Sequence, residues 1–333
     1  MPKQLKDIPF SVLDLAPIVE GATAGDAFAR SLALARAVEQ MGYKRVWYAE
    51  HHNMENIASS ATSILIGYIA AGTEKIIVGS GGIMLPNHAP LIIAEQFGTL
   101  ESLFPGRIDL GLGRAPGTDQ LTSRALRRYN QAVDGFPSDV VELRDYFTGE
   151  ATGSPVKAIP GRGLNVPIWL LGSSTFSAQL AAILGMPFAF ASHFAPAHLN
   201  EALKIYRDQF KPSESLKEPY ALACVNVIAA PQEVEATRLA TSFFQMARGI
   251  ITNERKPLQP PVDTMQGIWS EYEEAAVMHM MEYAFIGDQA GIHTQLEAFL
   301  EMTQVDELMI TTHVYDNQAR IRSYALIAPF FKK

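Results

Sequence analysis

The feature that most limits how this chain can fold is a rhythm. Short apolar runs rich in β-branched residues alternate with longer segments whose apolar residues recur every three to four positions. The first kind reads as buried strand and the second as amphipathic helix, and their alternation is that of a parallel sheet wound with helices. Strands are expected near residues 9–16, 45–49, 75–80, 107–112, 167–171, 187–192, 220–229 and 307–313. Between them, segment 25–41 sets Phe28, Leu32, Ala35 and Val38 on one helical face, and Gly42 supplies the stop. Segment 89–103 repeats the design, with Pro90 suited to a first helical turn and Pro105 and Gly106 ending it. Eight such units predict an α/β fold closed as a (β/α)8 TIM barrel, with residues 1–333 as a single domain.

An open doubly wound sheet is the rival. Its best support is GLGRAPG, where Gly111, Gly113 and Gly117 follow a strand. The spacing is GxGxxxG, one residue off the dinucleotide fingerprint, and Pro116 sits inside the loop. The count of eight strand–helix units favours the barrel. One region breaks the rhythm: residues 249–287 interrupt the seventh βα unit with a Pro-rich loop and short helical patterns. An inserted loop of that length reads as a lid over the site, in preference to an oligomer contact or a surface excursion.

Charge and targeting signals narrow the function. With 27 basic against 35 acidic residues the formal charge is -8, and no Lys/Arg cluster offers a face to phosphate backbones, so nucleic acid is not an expected partner. The N-terminus MPKQLKDIPF lacks the apolar core of a signal peptide, and no apolar run reaches the roughly 18 residues of a membrane span. A soluble, cytoplasmic protein without membrane association is expected. The single cysteine, Cys224 in LACVNVI, reads as a buried structural thiol.

Parallel barrels carry their chemistry at the C-terminal ends of the strands. There the chain places Glu50, His51, His52 and Asn53; then Gly81, Gly82, Met84, Asn87 and His88; then Gly113 and Arg114; then Gly172, Ser173, Ser174 and Thr175; then Ser192, His193 and Phe194. LLGSSTFSAQLAA runs from strand through Gly-Ser-Ser-Thr into a helix, which reads as an anion site or as an ordinary N-cap. Arg114 at the neighbouring strand end favours the anion, and a phosphate monoester suits it. The glycines of IIVGSGGIMLP read as a bulge or as a bare floor for a planar ring; together with Gly111 and Gly113 they point to a bulky cofactor.

Adjacent His51 and His52 on extended chain face opposite ways, so they cannot easily share a metal with Glu50, and no spacing with His88, His193 or His313 matches a chelating motif. No metal is expected. One histidine of the pair reads as an acid/base or as a packed strand end.

These stretches in order, AEHHN, GSGGIMLPNHAPLIIAEQFGTL, PGRIDLGLGRAPG and LLGSSTFSAQLAA, resemble the bacterial luciferase-like flavin monooxygenases over roughly residues 8–330. The resemblance implies an (α/β)8 barrel that binds FMN or a deazaflavin at its C-terminal face and forms a homodimer. It implies that His51 is the catalytic histidine and that Arg114, Ser173 and Ser174 hold the flavin phosphate. It further implies that Gly81 and Gly82 form a bulge, often with a non-prolyl cis peptide, under the ring, with Gly113, Gly172 and His193 also at the cofactor. The light-emitting members carry a cysteine where this chain has Gly113, so light emission is not expected.

The expected activity is a two-component monooxygenase acting with O2 on a small apolar substrate, with reduced FMN as cosubstrate from a separate NAD(P)H:flavin reductase. A deazaflavin-dependent dehydrogenase, a metal-dependent hydrolase and a non-catalytic flavin-binding protein are the alternatives.

Overall fold

The computed structural model describes residues 2–115, 119–126, 135–149 and 155–331; Pro116 and Gly117 of the glycine-rich run lie outside the described residues. Nine strands appear among them: β1 (Phe10–Asp14), β2 (Arg45–Tyr48), β3 (Ile77–Met84), β4 (Ile108–Gly113), β5 (Ile168–Gly172), β6 (Phe188–Phe190), β7 (Ala221–Ala229), β8 (Ala284–Gly287) and β9 (Glu307–Thr311). Their order is β6-β5-β4-β3-β2-β1-β9-β7, every pair parallel, and β6 pairs back onto β7 to close eight strands into a barrel. The doubly wound alternative is thereby excluded.

The eight expected strands are the eight barrel staves, and the ninth was not foreseen. β8 pairs with the upper part of β7, from Asn226 to Ala229, above the point where the β7–β9 pairing ends at Asn226 and Thr311. Strand β3 also runs past its expected end. The glycines do not stop it; its register with β4 shifts between Ser80 and Ile83, and the Gly81–Gly82 peptide is cis.

The helices are α1 (Ala24–Met41), α2 (Thr62–Ala71), α3 (Pro90–Leu103), α4 (Gln120–Ala125), α5 (Phe136–Thr148), α6 (Thr175–Leu184), α7 (Leu199–Gln209), α8 (Glu233–Ile251), α9 (Glu271–Met280), α10 (Gln289–Thr303) and α11 (Asn317–Ile327). Thr23 begins α1 with a capping box to Asp26, and Gly42 ends it in the left-handed region at φ 87°, as its sequence position predicts. The segment around 249–287 is divided: α8 extends through Ile251, α9 follows a loop, and β8 takes the end. The loop is fastened near the end of β1, where Leu258 N–H donates to Ile18 O at 2.8 Å and Glu20 N–H to Leu258 O at 2.9 Å.

Alternation along the staves sorts the barrel interior into layers. At the N-terminal end, Arg45 bonds Glu307 at 2.8 Å and also reaches Asp109, while Ser11 and Tyr220 complete the Glu307 carboxylate. Above this ionic plug lies an apolar layer of Leu13, Trp47, Trp169, Leu222, Cys224 and Met309. Cys224 is buried there, and desolvation pushes its thiol far above the usual range, which suits the structural reading. A second, larger core lies between the staves and the helices.

Candidate active site

Counting by twos up each stave from the apolar layer reaches the barrel mouth. Trp47 leads to Ala49 and His51, Trp169 to Leu171 and Ser173, Ala189 to Ala191 and His193, Cys224 to Asn226, and Met309 to Thr311 and His313. Electrostatics agrees, because the charges of His313 and His51 both bear on His193 after the dominant effect of desolvation. His51 and His193, both expected at the barrel mouth, therefore share it with Asn226, which no sequence motif marks, and with His313, whose residue type alone suggests a metal ligand. Among the described residues no group of three or more His, Cys, Asp or Glu is placed to hold a metal ion.

Gly81 faces the barrel interior; a Cβ built on it would stand 3.0 Å from Leu13 and from Trp47. On Gly82 a Cβ would meet the Gly111 carbonyl oxygen at 2.7 Å, so backbone of β3 and β4 is drawn together with no side chain between. At Gly113 the neighbour is only the flexible Met84 side chain, at 3.0 Å. The result is a bare floor on this side of the mouth. Gly172 has a packing reason of its own: a Cβ there would lie 2.5 Å from the Ser177 hydroxyl, so the glycine lets α6 start close behind β5.

The start of α6 differs from the other helix starts that carry a cap. Thr23, Asp119, Ser270, Asp288 and Asp316 each accept a hydrogen bond from their own first turn, whereas the N-cap Ser174, in extended conformation, makes no such bond. Its hydroxyl is not consumed by the helix, and Ser173 beside it is half-buried. Arg114 reaches this end from β4, its guanidinium 4.0 Å over the ring of Phe176 in the first turn of α6. Among the described residues Arg114 has no carboxylate partner within ion-pair distance. A cation held in place, an N-cap hydroxyl that the helix does not use and first-turn N–H groups together make a corner of the chemistry that an anion requires.

At the neighbouring strand ends, Glu50 is a hub that motif reading alone could not show. It is 1% exposed and accepts from His52 at 2.8 Å, from His88 at 2.9 Å and from the Met84 N–H at 3.0 Å. Burial alone would raise its carboxyl; the bonds from His52 and His88 outweigh that and bring it down to about 2. The carboxylate thus ties the histidine loop to the end of β3.

Because the folded protein holds Glu50 ionised below its ordinary value of 4.5, it binds fewer protons there than the unfolded chain. A stabilisation on the order of 3 kcal/mol is present in full above about pH 4.5 and is lost as pH falls toward 2. Glu50→Gln should lower stability at neutral pH and flatten this acid limb in denaturation curves recorded from pH 6 down. An unchanged limb would show that the hub carries no such linkage.

The pair His193 and His313 is kept neutral by its surroundings. Desolvation lowers both, and at His313 the Arg320 charge adds to it, bringing the imidazole to about 3. His313 stacks on Phe243 of α8 at 5.2 Å and 15°. Exposed Phe194 lies edge-on to His193 at 4.9 Å.

Comparison with known proteins places this geometry. Residues 8–311 match the luciferase-like monooxygenase family. A luciferase-like monooxygenase of Escherichia coli is 52% identical over 322 residues, covering 96% of each chain. The crystal structure of apo-MsnO8 superimposes with a TM-score of 0.87 at 33% identity, covering 98% of each chain. Two structures share the fold alone: the oxygenating constituent of 3,6-diketocamphane monooxygenase from Pseudomonas putida in complex with FMN (17% identity, TM-score 0.72, 97% of each chain) and an F420-dependent secondary alcohol dehydrogenase (13%, 0.73, 98% of this chain and 100% of the other). With its barrel, its strand-end site and these matches along nearly its whole length, the chain belongs to the luciferase-like monooxygenase family.

Proposed function

We propose that the protein is an FMN-dependent monooxygenase of the two-component kind, using reduced FMN from a separate NAD(P)H:flavin reductase and O2 on a small organic substrate. The observation that carries this reading is Arg114 seated over Phe176 at the uncommitted start of α6. Arg114, Ser173 and Ser174 hold the phosphate, while Gly81, Gly82 and Gly113 leave the floor bare for a planar ring. Bound reduced flavin supplies the electrons for oxygen chemistry, which the side chains here cannot supply themselves. His51 moves a proton at the mouth, and His193 lines the same space. The loop fastened at Leu258, within residues 249–287, excludes water as a lid over a single barrel domain.

Replacing His51 by alanine should cut substrate turnover about 10²–10⁴-fold and leave FMN affinity within a few fold. Normal turnover in that variant would remove His51 from the chemistry. A deazaflavin-dependent dehydrogenase is the second reading, favoured by the fold shared with the F420-dependent enzyme. Titration with FMN and with a deazaflavin, each followed by fluorescence, separates them: tighter FMN supports the oxygenase, and tighter deazaflavin replaces it.

The proposal includes a homodimer and a cytoplasmic location. Among the described residues no helix is long and apolar enough to cross a membrane. Helix α2, TSILIGYIAA, carries no charge and is strongly apolar, yet Ile64 is 75% exposed and Tyr68, one turn on, is exposed beside it. An uncharged apolar face can meet its own copy across a twofold axis without repulsion. Ile64→Glu should convert a dimer to monomer in sedimentation velocity; a wild-type monomer at micromolar concentration would contradict the dimer.

A further inference from the structure

Beyond the anion corner and the glycine floor, the mouth has a third side, built by the adjacent staves β6, β7 and β9. It gathers buried polar atoms that have no hydrogen-bond partner among the described residues: His193 Nδ1, Asn226 Oδ1 and His313 Nδ1. Asn226 and His313 are 2% and 3% exposed. Buried polar atoms in native proteins are almost always paired, with protein, water or ligand, and these three stand on neighbouring staves at the mouth, where a ligand can supply the partners.

The orientation of Asn226 is fixed. Its Nδ2 donates to the His193 carbonyl oxygen at 2.6 Å, and a flipped amide would set two oxygens against each other there. Oδ1 is therefore the orphan, and it needs a donor. His313 approaches Thr311 Oγ1 through Nε2 at 3.3 Å, which leaves Nδ1 for a ligand. A ligand group that serves this side must donate to an amide oxygen and also bond imidazole nitrogens.

Charge selects further. The ionisable groups bearing on the two imidazoles are His51, Arg320 and Asp14, and Arg320 and Asp14 neutralise each other at 2.8 Å. Both imidazoles are themselves held neutral by desolvation. A carboxylate here would meet Arg320 with its charge already offset by Asp14, and would leave Asn226 Oδ1 without a donor. An ammonium would be stripped of water with no anion to meet it. Exposed Phe194 against His193, and Phe243 against His313, supply apolar faces to either side.

We propose that Asn226, His193 and His313 form a substrate pocket for an uncharged group that both donates and accepts hydrogen bonds, a carboxamide borne on an apolar body. The proposal rests on the flavin reading for the identity of the mouth as the reaction site and names the substrate class that this site takes. Asn226 and His313 then act as specificity residues, positioning the substrate's apolar body toward the glycine floor.

The test is a binding series on the FMN-saturated protein by calorimetry with hexanamide, hexanoate and hexylamine, three probes of equal length that differ in the head group. Hexanamide should bind at least tenfold more tightly than either charged analogue. His313→Phe keeps the stacking on Phe243 and removes the ring nitrogens; hexanamide affinity should fall about fivefold, the loss of one hydrogen bond. Equal binding of the three probes, preference for a charged one, or no hexanamide signal at about 10 mM, where even a millimolar ligand registers, overturns the proposal without reference to any variant. Repeating the series on flavin-free protein separates the two readings. Amide preference without FMN binding removes the flavin and keeps the pocket, and FMN binding without amide preference does the reverse.

Discussion

Arg114→Ala should weaken FMN binding about 30- to 1,000-fold and leave riboflavin binding within about twofold. The two ligands differ by the phosphate alone, so the comparison isolates what the guanidinium does. A charge-assisted bond to phosphate, taken from a partly buried corner, is worth roughly 2–4 kcal/mol when its cationic partner is deleted. Arg114 is held for that role: its guanidinium lies 4.0 Å over the Phe176 ring, which fixes it beside the α6 start without occupying its N–H donors. Arg114→Lys should retain part of the affinity, about tenfold below wild type, because a point charge remains while the planar fork and the stacking are lost. Equal losses for FMN and riboflavin would show that Arg114 serves only the packing of α6. No loss for either would place the phosphate elsewhere.

The second large effect is at the other end of the barrel. Arg45→Met should destabilise the protein by about 3–5 kcal/mol, because it leaves the buried Asp109 carboxylate without its cation and Glu307 with Lys44 alone, 3.4 Å away. Both acids are almost wholly enclosed, and burial already pushes the Asp109 carboxyl up in spite of Arg45 beside it. Replacing all three residues, Arg45→Met with Asp109→Asn and Glu307→Gln, should recover much of the loss, since the cost arises from unpaired charge more than from the missing pair. Denaturant unfolding measures both. FMN affinity of the folded single variant should be unchanged, because the plug lies below the apolar layer and the site above it. A single variant as stable as wild type would show that the plug relaxes or admits water.

The staves were legible because strands buried on both faces read as apolar β-branched runs, and eight of them at barrel spacing leave few alternatives. Strand β8 was not, because its four residues AFIG continue a helical pattern and pair only with the top of β7. Of the proposed site, the residues that follow a motif at a strand end were legible, as with His51, Gly81, Gly82, Arg114 and Ser174. Asn226 was hidden because it lies within a strand, although counting two residues on from Cys224 finds it on the interior face. The Glu50 hub was hidden for a different reason. Its partner His88 is 38 residues away, a contact that the fold creates and that local spacing does not announce.

The proposed function requires that reduced FMN bind this mouth and meet O2 there. It is tested most directly by titrating the protein anaerobically with reduced FMN and then mixing with oxygenated buffer while flavin absorbance is followed. Saturable binding in the micromolar range or tighter, with reoxidation that is multiphasic and slower than that of free reduced FMN, is the predicted result. No binding in either redox state, or reoxidation indistinguishable from the free flavin, would contradict it.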